Sequence, residues 1–564
     1  MSKLSEVLEI EQNAPALDSA GHTLINFFLQ EQQQLTAVER FSKIHDDDAP
    51  PQHQKFYRDL IPLSAPEKGQ QYGFEVDLDS CTGCKACVTA CHSMNGLDDD
   101  EVWRTVGAIQ GGNEDMPIFQ MVTSACHHCA HPACMIGCPT NAYAKDEFTG
   151  IVVHLDDQCI GCQYCVLKCP YDVPKYNPKR GIVRKCDMCS SRLSAKEAPA
   201  CVQACPNKAI RITVVDKLEI AERAEKNDFL PGAPEPAYTQ PATRYHRKNP
   251  LPYNTAAADL NRAAPEPAHL PLVFMLVLTQ LSIGAFTLDW LIGKFAPSLA
   301  LEEARPAFIL AMWFAGCAGL NAAILHLGRP LYAFRAVLNL KGSWMSREIV
   351  GLSAYLGASS GFAASVWLPR FGIHFMDGAT SALQLATVIT GVLGAFCSMM
   401  IYIDTHREFW KAPHTLPRFA LTAVLLGLGA WVLFGAIQAH RSGAPLPQCV
   451  KDLSKIMAGV TLCKLIFEAT IFRRLRKYAA YHPLRKSALL MVRELLFTTN
   501  ARFVCGFAGG MALPLIFFSQ PVEPDAALVL CAASIALLLT GEILERYLYF
   551  RAVVALKMPG GSSR

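Results

Sequence analysis

Apolar positions are distributed unevenly along the chain and divide it into two halves. After about residue 270, eight long apolar stretches alternate with short polar segments. Each stretch is long enough to cross a hydrocarbon layer of about 30 Å as a helix. Because so many apolar runs leave few polar faces for water, the pattern argues against buried helices of a soluble domain. It predicts an all-α polytopic membrane domain of eight transmembrane helices, near residues 270–293, 306–327, 349–368, 381–403, 419–438, 453–472, 501–519 and 526–545.

The first half is more polar, and its apolar runs are short. Runs such as Phe74–Val76 and Gly150–His154 are strand-like but cannot build a large core. An amphipathic helix is expected around Leu35–Ile44 within a polar N-terminal region. Proline and alanine are frequent before the first long apolar stretch, which favours an extended linker. The predicted order is an N-terminal extension over 1–72, a cysteine-rich domain over 73–215, a linker over 216–269, the membrane domain over 270–546 and a tail over 547–564.

Charge determines which side of the membrane each part is expected to face. Only 18% of the residues are charged, against a usual value of about 25%. The net charge of +3 is too small to indicate a nucleic-acid partner. The first residues, MSKLSEVLEIEQNAP, show neither an export signal nor a twin arginine. Loops on the side of the termini carry 18 Lys and Arg residues and the opposite loops carry 5. The positive-inside rule therefore predicts a multi-pass inner-membrane protein whose termini and cysteine-rich domain are cytoplasmic.

Sixteen of the 22 cysteines lie between Cys81 and Cys205, in four regular groups. Two groups follow the bacterial ferredoxin spacing C-x2-C-x2-C-x3-C, and three of the four end in Cys-Pro. Structural zinc has no need of the trailing x3-Cys-Pro, although the fourth group alone could pass for a zinc site. A cytoplasmic domain disfavours disulfides. The groups predict four 4Fe–4S clusters, and they are Cys81, Cys84, Cys87, Cys91; Cys126, Cys129, Cys134, Cys138; Cys159, Cys162, Cys165, Cys169; and Cys186, Cys189, Cys201, Cys205.

In bacterial ferredoxins the fourth cysteine of each run binds the neighbouring cluster, which predicts how the ligands are shared. The first group exchanges fourth ligands with the last, and the second with the third. The predicted fold is thus an α+β double bacterial-ferredoxin-like domain whose clusters conduct electrons to a catalytic partner. The predicted ligand sets are Cys81, Cys84, Cys87, Cys205; Cys126, Cys129, Cys134, Cys169; Cys159, Cys162, Cys165, Cys138; and Cys186, Cys189, Cys201, Cys91.

Residues 73–215 resemble the four-cluster iron–sulfur subunit of dimethyl sulfoxide reductase family molybdoenzymes. The membrane half resembles the anchor subunit of the same enzymes, through HLGRP at 326–330, SWMSREI at 343–349, IYIDTHREFW at 401–410 and GEILERYLYF at 541–550. The resemblance implies a fusion of two subunits that usually occur separately, with a molybdopterin-containing catalytic subunit on another chain. The cytoplasmic placement is closer to the cytoplasm-facing sulfite dehydrogenase complexes of the family. The substrate therefore stays open between sulfite dehydrogenase and sulfoxide reductase types.

Ionisable groups at membrane depth are the candidates for a quinone site, because quinone chemistry moves protons with electrons. His326 and Arg329 follow the second apolar stretch, and Arg347 and Glu348 precede the third. The resemblance implies that His326 and Glu348 bind quinol. From the residues alone, the two arginines could equally be positive-inside anchors and His326 a satisfied histidine at the membrane interface. Haem is not expected, because the histidines of the membrane half lie near helix ends.

Two functions are compatible with these observations. The first is an electron-transfer and anchor subunit that links the quinone pool in the membrane lipid to the catalytic subunit. The second is the iron–sulfur and membrane module of a polysulfide-reductase-like, proton-translocating complex. Few charges lie midway through the helices, which weakens the second, and Lys464 and Glu468 are expected to form a structural ion pair. The chain has no P-loop or dinucleotide fingerprint, so catalysis is assigned to the partner.

Overall fold

The computed structural model describes residues 52–297, 303–374, 378–479, 481–519, 523–555 and 557–559, with residue 376 and a few residues between 29 and 39. The chain forms two units, Met1–Asp59 and Leu60–Arg564. In the first unit the structure describes a 3₁₀ turn at Gln52–Phe56. Most of the helix expected around Leu35–Ile44 lies outside the described residues.

The cysteine-rich domain is built on small β-sheets. Strand β1 lies between β8, which is antiparallel to it, and β9, which is parallel. Strand β2 lies between β3 and β10, and the pairs β4–β5 and β6–β7 form two short hairpins. The strands are β1 Gln70–Asp77, β2 Thr105–Gly112, β3 Pro117–Ser124, β4 Tyr143–Lys145, β5 Val152–His154, β6 Lys175–Asn177, β7 Ile182–Arg184, β8 Ile210–Asp216, β9 Arg244–His246 and β10 Ala256–Ala257.

Short helices between the strands carry five of the sixteen cysteines, and most of the others lie in the turns and loops next to these helices. Three of the helices begin directly after a residue in the left-handed conformation, at Lys85, Gln163 and Cys189. Such a residue reverses the chain just before the helix, so the cysteines on either side of the turn face the same space. The helices are α1 Ala86–Met94, α2 Ala133–Ile136, α3 Tyr164–Lys168, α4 Ser190–Ser194, α5 Ala200–Gln203 and α6 Lys217–Glu225.

The segment predicted as a linker contributes to this framework. It contains helix α6, and its strands β9 and β10 pair with β1 and β2 of the cysteine-rich domain. The segment from 216 to 257 is therefore attached to that domain by backbone hydrogen bonds. The domain boundaries at 215 and 269 stay predictions.

The second half is helical. Its helices are α7 Leu270–Phe295, α8 Arg305–Ile324, α9 Trp344–Trp367, α10 Thr380–Ile403, α11 Ala412–Ser442, α12 Gln448–Ala469, α13 Arg474–Lys477, α14 Pro483–Val492, α15 Leu496–Phe507, α16 Leu513–Ser519 and α17 Pro524–Arg551. Short 3₁₀ helices connect them at Pro330–Val337, Leu368–Phe371, Glu408–Trp410 and Thr470–Arg473.

Within the described residues, six helices are long and apolar enough to cross a membrane: α7, α8, α9 with its 3₁₀ extension, α10, α11 and α17. The other two predicted spans coincide with α12 and with the segment from α15 to α16. Helix α12 carries five charged residues, and α15 and α16 are separated by a π-helical turn at Ala508–Ala512. Eight spans therefore remain a prediction, and six are supported by length and composition.

Helix α7 packs against α8, α10, α11 and α17 and forms the centre of this half. Its crossing with α11 depends on glycine, since a Cβ on Gly284 would come within 1.9 Å of the Ala423 carbonyl oxygen. Small residues at such crossings allow helices to approach closely without a hydrophobic driving force. A second apolar core joins the two halves, because Cys162 and Tyr164 of the cysteine-rich domain pack among side chains of the membrane half such as Tyr402 and Phe550.

Candidate iron–sulfur and quinone sites

The structure brings together three of the four cysteine sets that cross-ligation predicts, and it places members of the fourth set near one another. Three sets each line one cavity, of about 320 Å³ for site A, about 380 Å³ for site C and about 270 Å³ for site D. The cysteines of site B are grouped because their charges act on one another. Burial, and then the charges of Cys201 and Cys189, raise the pKa of Cys91 to about 12. The sites are A, Cys81, Cys84, Cys87 and Cys205; B, Cys91, Cys186, Cys189 and Cys201; C, Cys126, Cys129, Cys134 and Cys169; and D, Cys138, Cys159, Cys162 and Cys165.

Each of the three cavities is lined by four cysteines, the ligand set of a 4Fe–4S cluster. Backbone N–H groups also point at the sulfurs: Ala142 donates to Cys138 Sγ at 3.3 Å, Gly161 to Cys159 Sγ at 3.4 Å and Ala209 to Cys205 Sγ at 3.2 Å. Such donors stabilise thiolates, the form that binds iron. The residues of all four sites fit 4Fe–4S clusters, which supply one-electron transfer when bound.

The sites follow one another in the order A, B, C, D. Sites A and B meet where Cys201 lies near Cys87. Burial raises the pKa of Cys201, and the charge of Arg104 opposes this rise. Sites B and C meet at Cys186, whose pKa is raised well above its ordinary value by burial and then by the charge of Cys126. Sites C and D flank the buried Tyr143, which lies close to Cys165 and Cys134. Cys84 of site A is the one exposed cysteine of the sixteen.

Site D lies against the membrane half, at the HLGRP motif. His326 lies near the backbone of Cys162, which raises the pKa of the imidazole against the larger, opposite effect of burial. The Arg329 backbone N–H donates to the Ile160 carbonyl oxygen at 3.0 Å, and its guanidinium donates to the Asp156 carbonyl oxygen at 2.8 Å. Asn339 donates to the Cys138 carbonyl oxygen at 2.9 Å. The loop that carries His326 therefore contacts the ligand loops of site D directly.

The four residues predicted for the quinone site take different roles in the structure. Glu348 is buried at the start of α9 and accepts a hydrogen bond from Ser398 of α10. The Arg347 guanidinium donates to the carbonyl oxygens of Leu340 and Lys341 and lies 4.2 Å from the Trp344 ring. Both arginines are thus engaged with backbone carbonyls. The quinone role of His326 and Glu348 stays a prediction.

Two further residues lie near these sites, and the sequence did not indicate which groups they contact. His269, at the start of α7, lies 5.1 Å from His326 between ring centroids, and burial lowers the pKa of both histidines to about 4. Asp404, at the end of α10, accepts from Lys168 Nζ at 2.6 Å and from the Tyr164 hydroxyl at 3.2 Å. Helix α3, which carries Cys165, is thereby held at the end of α10. Asp404 belongs to the IYIDTHREFW motif, and this motif is the sequence feature that could have indicated its role.

A buried ionic network lies in the membrane half. The pair expected between Lys464 and Glu468 is present at 3.9 Å, but Lys464 lies closer to Glu542. Arg502 bonds Glu468 at 2.8 Å and Glu542 at 3.0 Å. Further charges join on α11 and α17, where Arg418 pairs with Glu545 at 2.9 Å and Arg546 lies 3.6 Å from Glu545. The pattern missed this network because its members lie on helices α11, α12, α15 and α17.

Comparisons with known proteins identify the class. Residues 118–215 match the 4Fe-4S dicluster domain family, and residues 267–551 match the DMSO reductase anchor subunit (DmsC) family. The B subunit of the anaerobic dimethyl sulfoxide reductase of Haemophilus influenzae is 39% identical over 158 residues, 26% of this protein and 77% of that subunit. The corresponding B subunit of Escherichia coli K12 is 37% identical over 181 residues, 30% of this protein and 86% of that subunit.

The thiosulfate reductase electron transfer subunit PhsB of Salmonella typhi is 38% identical over 153 residues, 27% of this protein and 79% of that subunit. The protein is therefore an iron–sulfur electron-transfer subunit joined to a membrane anchor. It belongs to the dimethyl sulfoxide reductase family, with a domain like the iron–sulfur B subunit fused to a DmsC anchor domain. The expected fusion of the two subunits is confirmed.

Proposed function

We propose that this protein transfers electrons between membrane quinone and a molybdopterin-containing catalytic subunit, through four 4Fe–4S clusters bound at sites A to D. The observation that carries the proposal is the hydrogen bond from the Arg329 backbone N–H to the Ile160 carbonyl oxygen at 3.0 Å, since it joins the loop that carries His326 to the ligand loop between Cys159 and Cys162 of site D. Site A, with the exposed Cys84, is then the end that faces the catalytic subunit. The thiosulfate and dimethyl sulfoxide reductase names of the relatives support a sulfur-compound substrate for that subunit.

At the quinone site, His326 and Glu348 are the groups that exchange protons with the two quinone oxygens. Oxidation of one quinol releases two electrons and two protons, and a histidine and a carboxylate are suited to accept the protons. Ser398 holds the carboxyl group of Glu348, and Arg329 and Arg347 keep the surrounding loops in place through their carbonyl contacts. The cysteine-rich domain is proposed to face the cytoplasm, because the loops on its side of the membrane carry most of the Lys and Arg residues.

The test uses the full-length protein in membrane vesicles together with its catalytic partner. His326→Ala and Glu348→Gln are expected to abolish quinol-dependent turnover while the spectra of dithionite-reduced clusters stay normal. His440→Ala serves as the matched control, because His440 is an exposed residue near the C-terminal end of α11 and pairs with Asp525. Quinol oxidation at the control rate in both variants would refute the quinone site. Co-purification of a protein without molybdopterin would refute the proposed partner.

The buried ionic network supports a second candidate, a proton-translocating complex. Ionisable groups within a membrane are costly and commonly mark proton or ion pathways. Seven such groups on four helices form this network, which is more than the sparse charges of the individual helices suggested. In proteoliposomes, translocation predicts a pH change on one side beyond the protons that quinol itself releases. Release of only the protons that quinol itself supplies would contradict translocation, and electron transfer would then be the remaining function.

A further inference from the structure

Arg104 is a buried cation at the junction of sites A and B. Its side chain is 2% exposed, and Nη1 donates to the Thr123 hydroxyl at 3.2 Å while Nε and Nη2 have no hydrogen-bond partner. Thr123 in turn contacts Cys87 Sγ of site A at 3.6 Å. The guanidinium also lies near Cys201 of site B, where its positive charge opposes the rise in the pKa of that thiol. Cysteines of both sites therefore surround this one positive charge.

Lys185 occupies the equivalent place between sites B and C. It is 3% exposed, and Nζ donates to the carbonyl oxygen of Cys186, its neighbour in the sequence, at 2.8 Å and to that of Val152. The same ammonium lies 3.7 Å from Cys126 Sγ of site C. Burial lowers the pKa of Lys185, but the charges of Cys126, Cys134 and Cys186 outweigh burial, so its pKa is raised.

Neither cation has a carboxylate partner in an ion pair within the described part of the protein. Asp187 acts on Lys185 only more weakly than the three cysteines. Burying a positive charge without an anion is very unfavourable, because the charge loses its hydration and gains nothing in return. The negative charge that compensates Arg104 and Lys185 must then come from the thiolate sites on either side of each.

We propose that Arg104 and Lys185 are redox-tuning residues, which raise the reduction potentials of the clusters at sites A and B and at sites B and C respectively. This inference rests on the proposed cluster sites. Reduction adds one electron to a cluster without a proton, so the total charge at that site becomes more negative by one. A fixed positive charge nearby stabilises the added electron, and net charge is one of the factors that set cluster potentials.

Site D is the internal reference for this effect. The cysteines whose charges act most strongly on Arg104 and Lys185 belong to sites A, B and C, and Lys168, on the same helix as Cys165 of site D, is already paired with Asp404. The two cations therefore act at the junctions A–B and B–C. The potential at site D, next to the membrane half, should be independent of both.

The experiment is a potentiometric titration of the cluster-loaded, full-length protein in membranes, followed by EPR. Arg104→Met is expected to lower the midpoint potentials of two clusters, A and B, and Lys185→Met those of B and C. Arg104→Lys and Lys185→Arg should keep potentials close to the parent values. Lys226→Met is the matched control, because it removes the same charge from an exposed side chain just after helix α6.

If Arg104→Met fails to retain iron, Arg104→Gln keeps a donor toward Thr123 and carries the test. Midpoint potentials no lower than in Lys226→Met would overturn the inference, and so would an equal shift at all four sites. Loss of iron in both Arg104 variants, with Lys185→Met unchanged in potential, would overturn it as well and leave the cations a structural role. Fewer than four clusters in the parent protein would instead refute the proposed function.

Discussion

Gly328 of the membrane half lies so close to Gly181 of the cluster domain that a Cβ on Gly328 would come within 2.1 Å of the Gly181 carbonyl oxygen. Gly161, between Cys159 and Cys162, completes the contact, since its own Cβ would lie 2.9 Å from the Gly328 Cα atom. Backbone therefore packs directly on backbone where the HLGRP loop meets site D. The separation between His326 and Cys162 depends on this contact.

Gly328→Ala should uncouple quinol oxidation from the clusters. The backbone of Gly328 is not in the left-handed region, so alanine is opposed only by the contact with Gly181. Relieving that contact requires the two loops to separate, and a displacement of about 1 Å can cost on the order of a hundredfold in rate. Stopped-flow measurement should show cluster reduction by quinol slowed at least about tenfold, with reduction by dithionite unchanged.

Gly357→Ala is the matched control for this substitution. Gly357 lies in α9 of the same half, and a Cβ there meets no atom within 4 Å. Quinol should reduce the clusters of this variant at the parent rate. Equal rates in the two alanine variants would contradict a positioning role for the Gly328 contact.

The cysteine sets were largely accessible from the sequence, because their spacing is local and the ferredoxin rule supplies the exchange of fourth ligands. The grouping of Cys126, Cys129, Cys134 and Cys169 around one cavity follows that rule. The pairing of strands β9 and β10 with the sheets could not be predicted from the sequence. They are three and two residues long, and they pair with strands more than a hundred residues away, so no periodic pattern indicates them.

The surroundings of the sites were less predictable, because they depend on contacts between distant segments. His269 precedes α7 and His326 follows α8, and only the packing of the two helices brings their rings together. In the sequence Arg104 looks like an ordinary arginine at the edge of a strand. In the folded protein, where β2 pairs with β3, it is buried near Cys87 and Cys201. The resemblance indicated His326 and Glu348, but it did not indicate that Arg329 contacts the cluster domain.

Cysteine-to-serine variants test the exchange of ligands between sites A and B. Cys205→Ser should remove or alter the same EPR signal as Cys81→Ser, because Cys205 lines the cavity of site A. Cys91→Ser should instead affect the signal lost in Cys189→Ser. Iron content should fall by one cluster in each case. Loss of the Cys189 signal in Cys205→Ser would contradict cross-ligation and favour ligand sets that follow the sequence groups.

Acid should destabilise the protein through His269. Burial, and then the charge of Arg407, lower the pKa of His269 from 6.5 to about 4. The unfolded state therefore binds a proton at a higher pH than the folded state, so stability is complete above pH 6.5 and is lost as the pH falls toward 4. His269→Gln should reduce the fall in Tm over this range in detergent. The exposed His440→Gln should follow the parent protein, and identical acid sensitivity in all three would contradict the assignment.

The ionic network on α11, α12, α15 and α17 should be strongly cooperative. Glu542 is fully buried and pairs with both Lys464 and Arg502, so Glu542→Gln leaves those cations undercompensated. Removing one partner of a buried pair typically costs about 3–5 kcal/mol. Thermal unfolding in detergent should therefore show a large loss of stability.

The double variant Lys464→Met with Glu542→Met distinguishes pairing from simple packing. It removes one cation and one anion together, so its loss should be clearly smaller than the sum of the two single losses. The exposed pair of Lys455 and Asp452 on the same helix α12 supplies the control, since water screens it and Lys455→Met should change the unfolding temperature little. Additive losses at Lys464 and Glu542 would show that the two side chains stabilise the bundle independently, because coupled charges lose most of their cost when both are removed.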